Sequence, residues 1–218
     1  MSYDAVLFDN DGVLVKPPDG TVLREAALSA FAEFGVEPDA DQLDAVARSV
    51  TPKDLRSVCD AHDFDPAEFW EARDIAASEA QLHELRAGRT TTYDDVDALE
   101  SVDRPLGLVS SNQHATIEFM LDHFDLREQF ETYYGRPPTL DAFHRKKPEP
   151  YYLERALDDI GTDSALFVGD SESDIVAAHN ADLDSAFIRR PHREAYELSV
   201  TPTYEIDGLR ELRSVLRT

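Results

Sequence analysis

The fold is decided by the stretch Ala5-Val6-Leu7-Phe8-Asp9-Asn10-Asp11-Gly12, in which four apolar residues run directly into polar ones. A short apolar run that ends in turn-forming residues predicts a buried strand. Two later segments repeat this pattern: Leu106–Val109 runs into Ser110-Ser111-Asn112, and Ala165–Val168 runs into Gly169-Asp170. Because ligands bind at the carboxyl ends of the strands in open α/β sheets, we expect these polar residues to meet at one edge.

Helices are predicted between the strands. The patterns of Pro148–Ile160, Ser173–Ala181 and Ile206–Leu216 are helical, and Phe130–Tyr134 and Ser185–Ile188 predict two further strands. Strands that alternate with helices indicate parallel βαβ units, and near-continuous apolar strands indicate a sheet covered on both faces. The sequence therefore predicts the α/β class, with a doubly wound, mostly parallel, Rossmann-like sheet.

Residues 16–90 have a different character. Their apolar residues recur at helical spacing, and Thr51-Pro52 and Asp65-Pro66 are helix start signals, each an N-cap followed by proline. No part of this block has the pattern of a strand. We expect about four helices in an inserted domain, and an α/β core built from residues 1–15 and 91–218.

The charge of the chain narrows the function. The 21 basic and 45 acidic residues give a net charge of −24, which repels phosphate backbones and anionic membrane surfaces. We therefore expect neither nucleic acid nor membrane as a partner. The many carboxylates and few lysines resemble the composition of halophilic proteins, and an ordinary acidic cytosolic protein is the alternative. One cysteine, no membrane-length apolar run and no leader pattern predict a cytoplasmic enzyme or binding protein.

The polar edge suggests phosphoryl chemistry. Asp9 and Asp11 share a face of an extended chain, and with Asp170 they would repel one another unless a hard cation such as Mg²⁺ lay between them. One carboxylate can attack phosphorus, and a second can transfer the proton of the leaving oxygen. Lys147 could neutralise the nucleophile and the transferring group, and the Ser110 hydroxyl could donate to a phosphate oxygen.

Position makes these motifs specific, because Asp-x-Asp by itself occurs five times in this aspartate-rich chain. Asp9-Asn10-Asp11-Gly12-Val13, Ser110, Lys147-Pro148-Glu149-Pro150 and Gly169-Asp170-Ser171-Glu172-Ser173-Asp174 resemble, in order, the four motifs of the haloacid dehalogenase superfamily. The resemblance covers essentially the whole chain. Most members are Mg²⁺-dependent phosphatases and phosphotransferases, and the block 16–90 resembles their α-helical cap.

The resemblance implies a role for each catalytic candidate. Asp9 would be the nucleophile and a metal ligand. Asp11 would be the general acid and base, and its backbone carbonyl would also meet the metal. Ser110 and Lys147 would hold the phosphoryl group.

The resemblance also implies the remaining site residues. Asp170 would be a metal ligand, and Asp174 a ligand through water or a supporting residue. Ser111 and Asn112 are candidate substrate contacts, with capping of the next helix as the alternative. Asn10 departs from the family pattern, in which an aromatic or aliphatic residue is common at that position.

The function predicted from this resemblance is hydrolysis of a small phosphomonoester, phosphoglycolate-like or a sugar phosphate, with a cap that closes over the site and selects the leaving group. The alternatives are a phosphotransferase or mutase resembling β-phosphoglucomutase, and a non-catalytic regulator that binds Mg²⁺ or phosphate. Asp11 argues against carbon–halogen chemistry, because the dehalogenases lack this aspartate. Phosphonate cleavage would need a cap lysine, for which Lys53 is the candidate. The oligomeric state is left open.

Overall fold

The computed structural model describes residues 3–217, and six strands in this range form one sheet. The apolar runs of the sequence supply the central strands, which are buried along their length. The strands are β1 (Ala5–Phe8), β2 (Leu106–Gln113), β3 (Thr132–Arg136), β4 (Ala165–Gly169), β5 (Asp184–Ile188) and β6 (Tyr204–Ile206).

The strand order is β3-β2-β1-β4-β5-β6, and β1 pairs in parallel with β2 on one side and β4 on the other. The chain first builds the sheet outward from β1 to β3 and then returns to start β4 on the opposite side. Such a reversal of strand order opens a crevice at the carboxyl ends of the two central strands. Phe8 pairs with Val168 in this register, so the residues that follow β1 and β4 emerge side by side. The predicted fold class is confirmed.

Helices flank this sheet. Their apolar faces meet the strands, as where Leu153 and Ala156 pack in one buried cluster with Phe167 of β4. Amphipathic spacing in the sequence provides these faces. These helices are α5 (His114–His123), α7 (Tyr151–Ile160), α8 (Glu172–Asn180) and α9 (Leu212–Val215). A short helix, α6 (Leu140–His144), lies between β3 and α7 in chain order and clusters instead with residues 18–90.

The C-terminal end differs from the sequence prediction of one helix over Ile206–Leu216. The chain instead forms β6, which pairs in parallel with β5, then a short 3₁₀ turn over Leu209–Glu211, and then α9. Pairing with an edge strand satisfies backbone groups that a helix would satisfy locally, and a sequence window cannot show which partner is available.

The chain divides into two compact units. The α/β unit contains residues 3–17, 91–135 and 145–217 of the described chain, and the helical unit contains residues 18–90 and 136–144. The helical unit has the four expected helices: α1 (Gly20–Glu33), α2 (Ala40–Ala47), α3 (Pro52–His62) and α4 (Pro66–Arg86). Within residues 3–217, no helix combines the length and the hydropathy needed to cross a membrane.

Segment 136–144, which the sequence prediction placed in the α/β core, clusters with the helical unit. Two contacts explain this difference. The ring of Phe143 lies 4.1 Å from that of Trp70, and the Arg136 guanidinium donates two hydrogen bonds to the buried carboxylate of Asp74. Both contacts join residues that are distant in sequence. The role of residues 16–90 as a cap stays a prediction.

Candidate active site

Three carboxylates meet at the carboxyl edge of the sheet. Asp9 follows β1, Asp170 follows β4, and Asp174 lies in the first turn of α8. One oxygen from each lies within 4.8 Å of the others, and all three residues are buried. The structure thus brings together residues from motifs 160 positions apart, as the edge prediction requires. Their chemical roles stay predictions.

Lys147 provides the central positive charge of this cluster. Its Nζ lies 2.7 Å from Asp9 Oδ1 and 2.6 Å from Asp174 Oδ1, and it donates to the carbonyl of Val109 at 3.2 Å. Burial disfavours the charged ammonium, but the charges of Asp174 and Asp9 outweigh burial and raise the pKa of Lys147. The middle of β2 is therefore tied to the carboxylate cluster through this one side chain.

The electrostatics of the cluster favour a cation. Burial raises the pKa of Asp9 well above its usual value. The negative charges of Asp174 and Asp170 raise this pKa further, whereas the positive charge of Lys147 lowers it. A carboxylate in this position is short of compensating positive charge. Buried carboxylate oxygens are the donors that Mg²⁺ prefers, so this donor set fits a hard divalent cation.

Glycine is required at two places beside the carboxylates. Gly12 has a φ of +87°, and a Cβ there would lie 2.3 Å from Asp170 Oδ2. A Cβ on Gly169 would lie 2.2 Å from Cβ of Asp174. Both distances are far below van der Waals contact. The glycines of the first and fourth motifs therefore let the backbone pass close to the acidic side chains.

The carboxylate of Asp11 has different hydrogen-bonding partners from that of Asp9. Its carboxylate accepts hydrogen bonds from Asn112 Nδ2 at 2.9 Å and from Asn10 Nδ2 at 3.3 Å. Burial raises the pKa of Asp11 to about 6, although the bond from Asn112 opposes this shift. A carboxyl group that keeps part of its proton close to neutral pH can both donate and accept a proton. Its side chain lies outside the cluster of three carboxylates.

The three candidates in the second half of β2 differ in burial and in contacts: they are Ser110, Ser111 and Asn112. Ser110 is buried, and its Oγ accepts a hydrogen bond from the Asn112 backbone at 3.1 Å, whereas Ser111 is only partly buried. Asn112 uses its amide nitrogen on Asp11 and its oxygen on the backbone of Gln113. The structure therefore shows Asn112 as a partner of Asp11; its predicted contact with substrate stays a prediction.

Asp174 is engaged through both oxygens. Oδ1 pairs with Lys147, and Oδ2 accepts from the backbone of Ser171 at 3.0 Å and from the Ser171 hydroxyl at 2.6 Å. The bond from the Ser171 backbone belongs to the capping box that begins α8. These contacts fix the carboxylate that pairs with Lys147; whether Asp174 is a ligand or a supporting residue stays a prediction.

Sequence reasoning did not identify two residues that contact Asp170. His192 Nε2 lies 2.7 Å from Asp170 Oδ2, and Arg193 Nε donates to the same oxygen at 2.9 Å. Burial opposes ionisation of Asp170, but these two partners hold its pKa below the usual value. The signal in the sequence is the run Arg189-Arg190-Pro191-His192-Arg193, a basic cluster directly after a strand in a chain of net charge −24.

The doubly wound sheet therefore carries a buried carboxylate cluster at the point where its strand order reverses, which is where ligands bind in such sheets. The family model described as haloacid dehalogenase-like hydrolase matches residues 6–188, and the chain belongs to this family. The prediction of an enzyme of the hydrolase class is confirmed.

Relatives cover nearly the whole chain. The protein is 27% identical over 231 residues to the pyrophosphatase PpaX of Bacillus cereus (strain Q1), with 99% of this chain and 97% of the relative aligned. Among solved structures it resembles CbbY from Rhodobacter sphaeroides in complex with phosphate (TM-score 0.72, 20% identity, 96% of each chain). It also resembles a predicted phosphoglycolate phosphatase from Haemophilus somnus 129PT (TM-score 0.67, 18% identity, 99% and 98% covered). The structural likenesses concern the fold.

Proposed function

We propose that this protein is a Mg²⁺-dependent phosphatase that hydrolyses a small organic phosphomonoester through an aspartyl-phosphate intermediate. The observation that carries the proposal is the meeting of the buried carboxylates of Asp9, Asp170 and Asp174, of which Asp9 and Asp174 also contact the ammonium of Lys147. Three buried carboxylates with one lysine form a poor structural core but a suitable place for a cation and an anionic phosphoryl group. Membership of the hydrolase family supports the reaction class.

Asp9 and Asp170 are the residues that would hold the cation. Each is buried, and each offers an oxygen within 4.8 Å of the other. When bound, Mg²⁺ would screen the repulsion between the carboxylates and the phosphoryl oxygens. Asp174 supports this site by holding Lys147, whose ammonium lies 2.7 Å from the proposed nucleophile. Ser110 remains our candidate donor to a phosphoryl oxygen.

The side chains divide the reaction into two steps. In the first, an oxygen of Asp9 attacks phosphorus, the bond to the ester oxygen breaks, and Asp11 gives its proton to the departing alkoxide. In the second, Asp11 takes a proton from water, the water oxygen attacks phosphorus, and the carboxylate of Asp9 is released with inorganic phosphate. Asn112 orients Asp11 through the hydrogen bond at 2.9 Å.

The substrate class is a small phosphorylated metabolite, with phosphoglycolate and sugar phosphates as the first candidates. The relative named pyrophosphatase adds inorganic pyrophosphate as a second candidate, in which phosphate is the leaving group. The same attack by Asp9 serves both substrates. An acceptor hydroxyl in place of water would make the protein a phosphotransferase.

The test is release of inorganic phosphate from a panel of phosphometabolites and pyrophosphate, with Mg²⁺, at low and at high salt. We expect turnover by the unaltered protein and none by Asp9→Asn, which keeps the side-chain volume. Asp103→Asn is the matched control, because this aspartate is exposed and lies in the same unit. Full activity of Asp9→Asn would refute the mechanism. Consumption of the substrate only with an added alcohol acceptor, with the phosphoryl group recovered as a new ester of that alcohol and not as inorganic phosphate, would instead indicate a transferase.

A further inference from the structure

The loop after β5 holds one of the proposed cation ligands by a single oxygen. His192 Nε2 and Arg193 Nε both contact Oδ2 of Asp170, at 2.7 Å and 2.9 Å. Oδ1 of Asp170 accepts no hydrogen bond from residues 3–217. The carboxylate is therefore fixed through one oxygen, while the other remains available to a cation.

Tyr93 contacts the second nitrogen of the histidine ring. The Tyr93 hydroxyl lies 3.1 Å from Nδ1 of His192. Nε2 of the same ring lies 2.7 Å from Asp170 Oδ2. Both ring nitrogens therefore have hydrogen-bonding partners, which fix the orientation of the imidazole.

The loop is anchored on both sides of His192. The buried guanidinium of Arg190 donates to the Val13 carbonyl at 2.6 Å, pairs with Asp95 at 2.9 Å, and stacks over the ring of Tyr93 at 3.9 Å from its centroid. These contacts join the loop to the turn that follows Asp9-Asn10-Asp11. Tyr93, the partner of His192 at Nδ1, is thus held in place by its own contact with Arg190.

The far end of the loop is also fixed. Ser199 donates from its backbone and from its hydroxyl to the carboxylate of Glu172, both at 2.8 Å. Glu172 is the first residue of α8, which begins two positions after Asp170. The segment that carries His192 is therefore tied to the same helix start as the proposed ligand.

We propose that Tyr93 and His192 are positioning residues of the cation site: Tyr93 orients the imidazole, and His192 orients Asp170 so that its free oxygen faces the cation. This inference rests on the proposed function, because it takes Asp170 as a ligand. Arg193 supplies a second donor to the same oxygen. Partners of this kind, one step removed from the metal, set ligand geometry and affinity in known metal sites.

Binding of Mn²⁺ to the purified full-length protein, followed by the electron paramagnetic resonance signal of the free ion, tests the proposal without reference to activity. Mn²⁺ takes the same oxygen ligands as Mg²⁺. We expect His192→Ala to raise the dissociation constant about 10–100-fold. His192→Gln keeps an N–H donor and should restore most of the affinity. Tyr93→Phe should raise the constant by less than His192→Ala, and His123→Ala, at an exposed position of α5, should leave it unchanged.

The outcomes separate the two proposals. No saturable Mn²⁺ binding by the unaltered protein would overturn both the cation site and the positioning role. Normal binding by the unaltered protein with an unchanged constant in His192→Ala would overturn the positioning role alone. Tighter binding in His192→Ala would also overturn it, by showing that the imidazole competes with the cation for Asp170. If His192→Gln and His192→Ala bind Mn²⁺ equally weakly, the donor role of His192 is refuted. If His192→Ala does not fold, an unchanged dissociation constant in Tyr93→Phe refutes the positioning role of Tyr93 and His192.

Discussion

Replacing Lys147 by methionine removes the ammonium at the centre of the carboxylate cluster and keeps an unbranched apolar stem of similar length. The lysine is 6% exposed and touches Asp9 at 2.7 Å and Asp174 at 2.6 Å. The substitution therefore leaves two buried carboxylates without their common partner. The neighbouring Lys146 is only partly buried and is the matched control.

The expected loss of stability in Lys147→Met follows from the burial of the ion pairs that it removes. Removing one partner of a buried ion pair costs about 3–5 kcal/mol, because the remaining charge stays in a site of low polarity. For a chain of this size the free energy of unfolding falls by about 2–3 kcal/mol for each molar of urea. We therefore expect the urea midpoint of Lys147→Met to fall by about 1–2 M at a pH near 8.

The loss of stability in Lys147→Met should also depend on pH and be larger at higher pH. The pKa of Asp9 in the folded protein already lies well above 3.8, and loss of the ammonium raises it further. A folded state that binds a proton more tightly than the unfolded chain loses stability as the pH rises from the unfolded pKa towards the folded one. Lys147→Met is therefore penalised less near pH 5, where Asp9 can be protonated, than near pH 8.

Urea unfolding followed by circular dichroism, at both pH values and with Lys146→Met in parallel, measures this effect. Addition of Mg²⁺ should recover part of the lost stability near pH 8, because a cation at the cluster replaces the missing charge. A midpoint shift no larger than that of Lys146→Met would refute the reasoning. So would a loss of stability that is the same at both pH values.

Two further predictions concern single positions. Gly12→Ala should lower activity by about 100-fold, because the new Cβ would lie 2.3 Å from Asp170 Oδ2. Gly161→Ala is the control: this glycine also has a positive φ, but no atom lies within 4 Å of the new Cβ, so the variant should keep its activity in the same assay. Asp74→Ala should lower the free energy of unfolding by about 3–5 kcal/mol, because it removes the buried carboxylate that faces the buried guanidiniums of Arg73 and Arg136. Asp44→Ala, at a side chain 65% exposed, should cost less than about 1 kcal/mol; equal losses at these two aspartates would contradict the burial argument.

Local pattern was sufficient for most of the fold. The apolar runs before Asp9 and Asp170 predicted β1 and β4, and the start signal at Thr51-Pro52 predicted α3, whose capping box the structure contains. These features depend on neighbours within a few residues. The short strand β6 could not be predicted in the same way, because it exists through pairing with β5.

The candidate site was predictable where a residue lies at a strand end. Asp9 and Asp170 follow β1 and β4 directly, so the strand order alone brings them together. Lys147, which directly precedes Pro148 in the third motif, has its ammonium buried between two carboxylates. The contact of His192 with Asp170 was not predictable, because the loop that carries it has no periodic pattern and its course depends on anchors elsewhere in the fold.

The sequence by itself determined most of the strands and helices, although not β6, and therefore which carboxylates reach the edge of the sheet, because hydrophobic periodicity acts over neighbouring residues. The tertiary structure decided which charges are paired: Asp74 with Arg136, Asn112 with Asp11, and His192 with Asp170. Partners of this kind are chosen through space, by distance and burial. The number of residues between two partners along the chain does not indicate that they will pair.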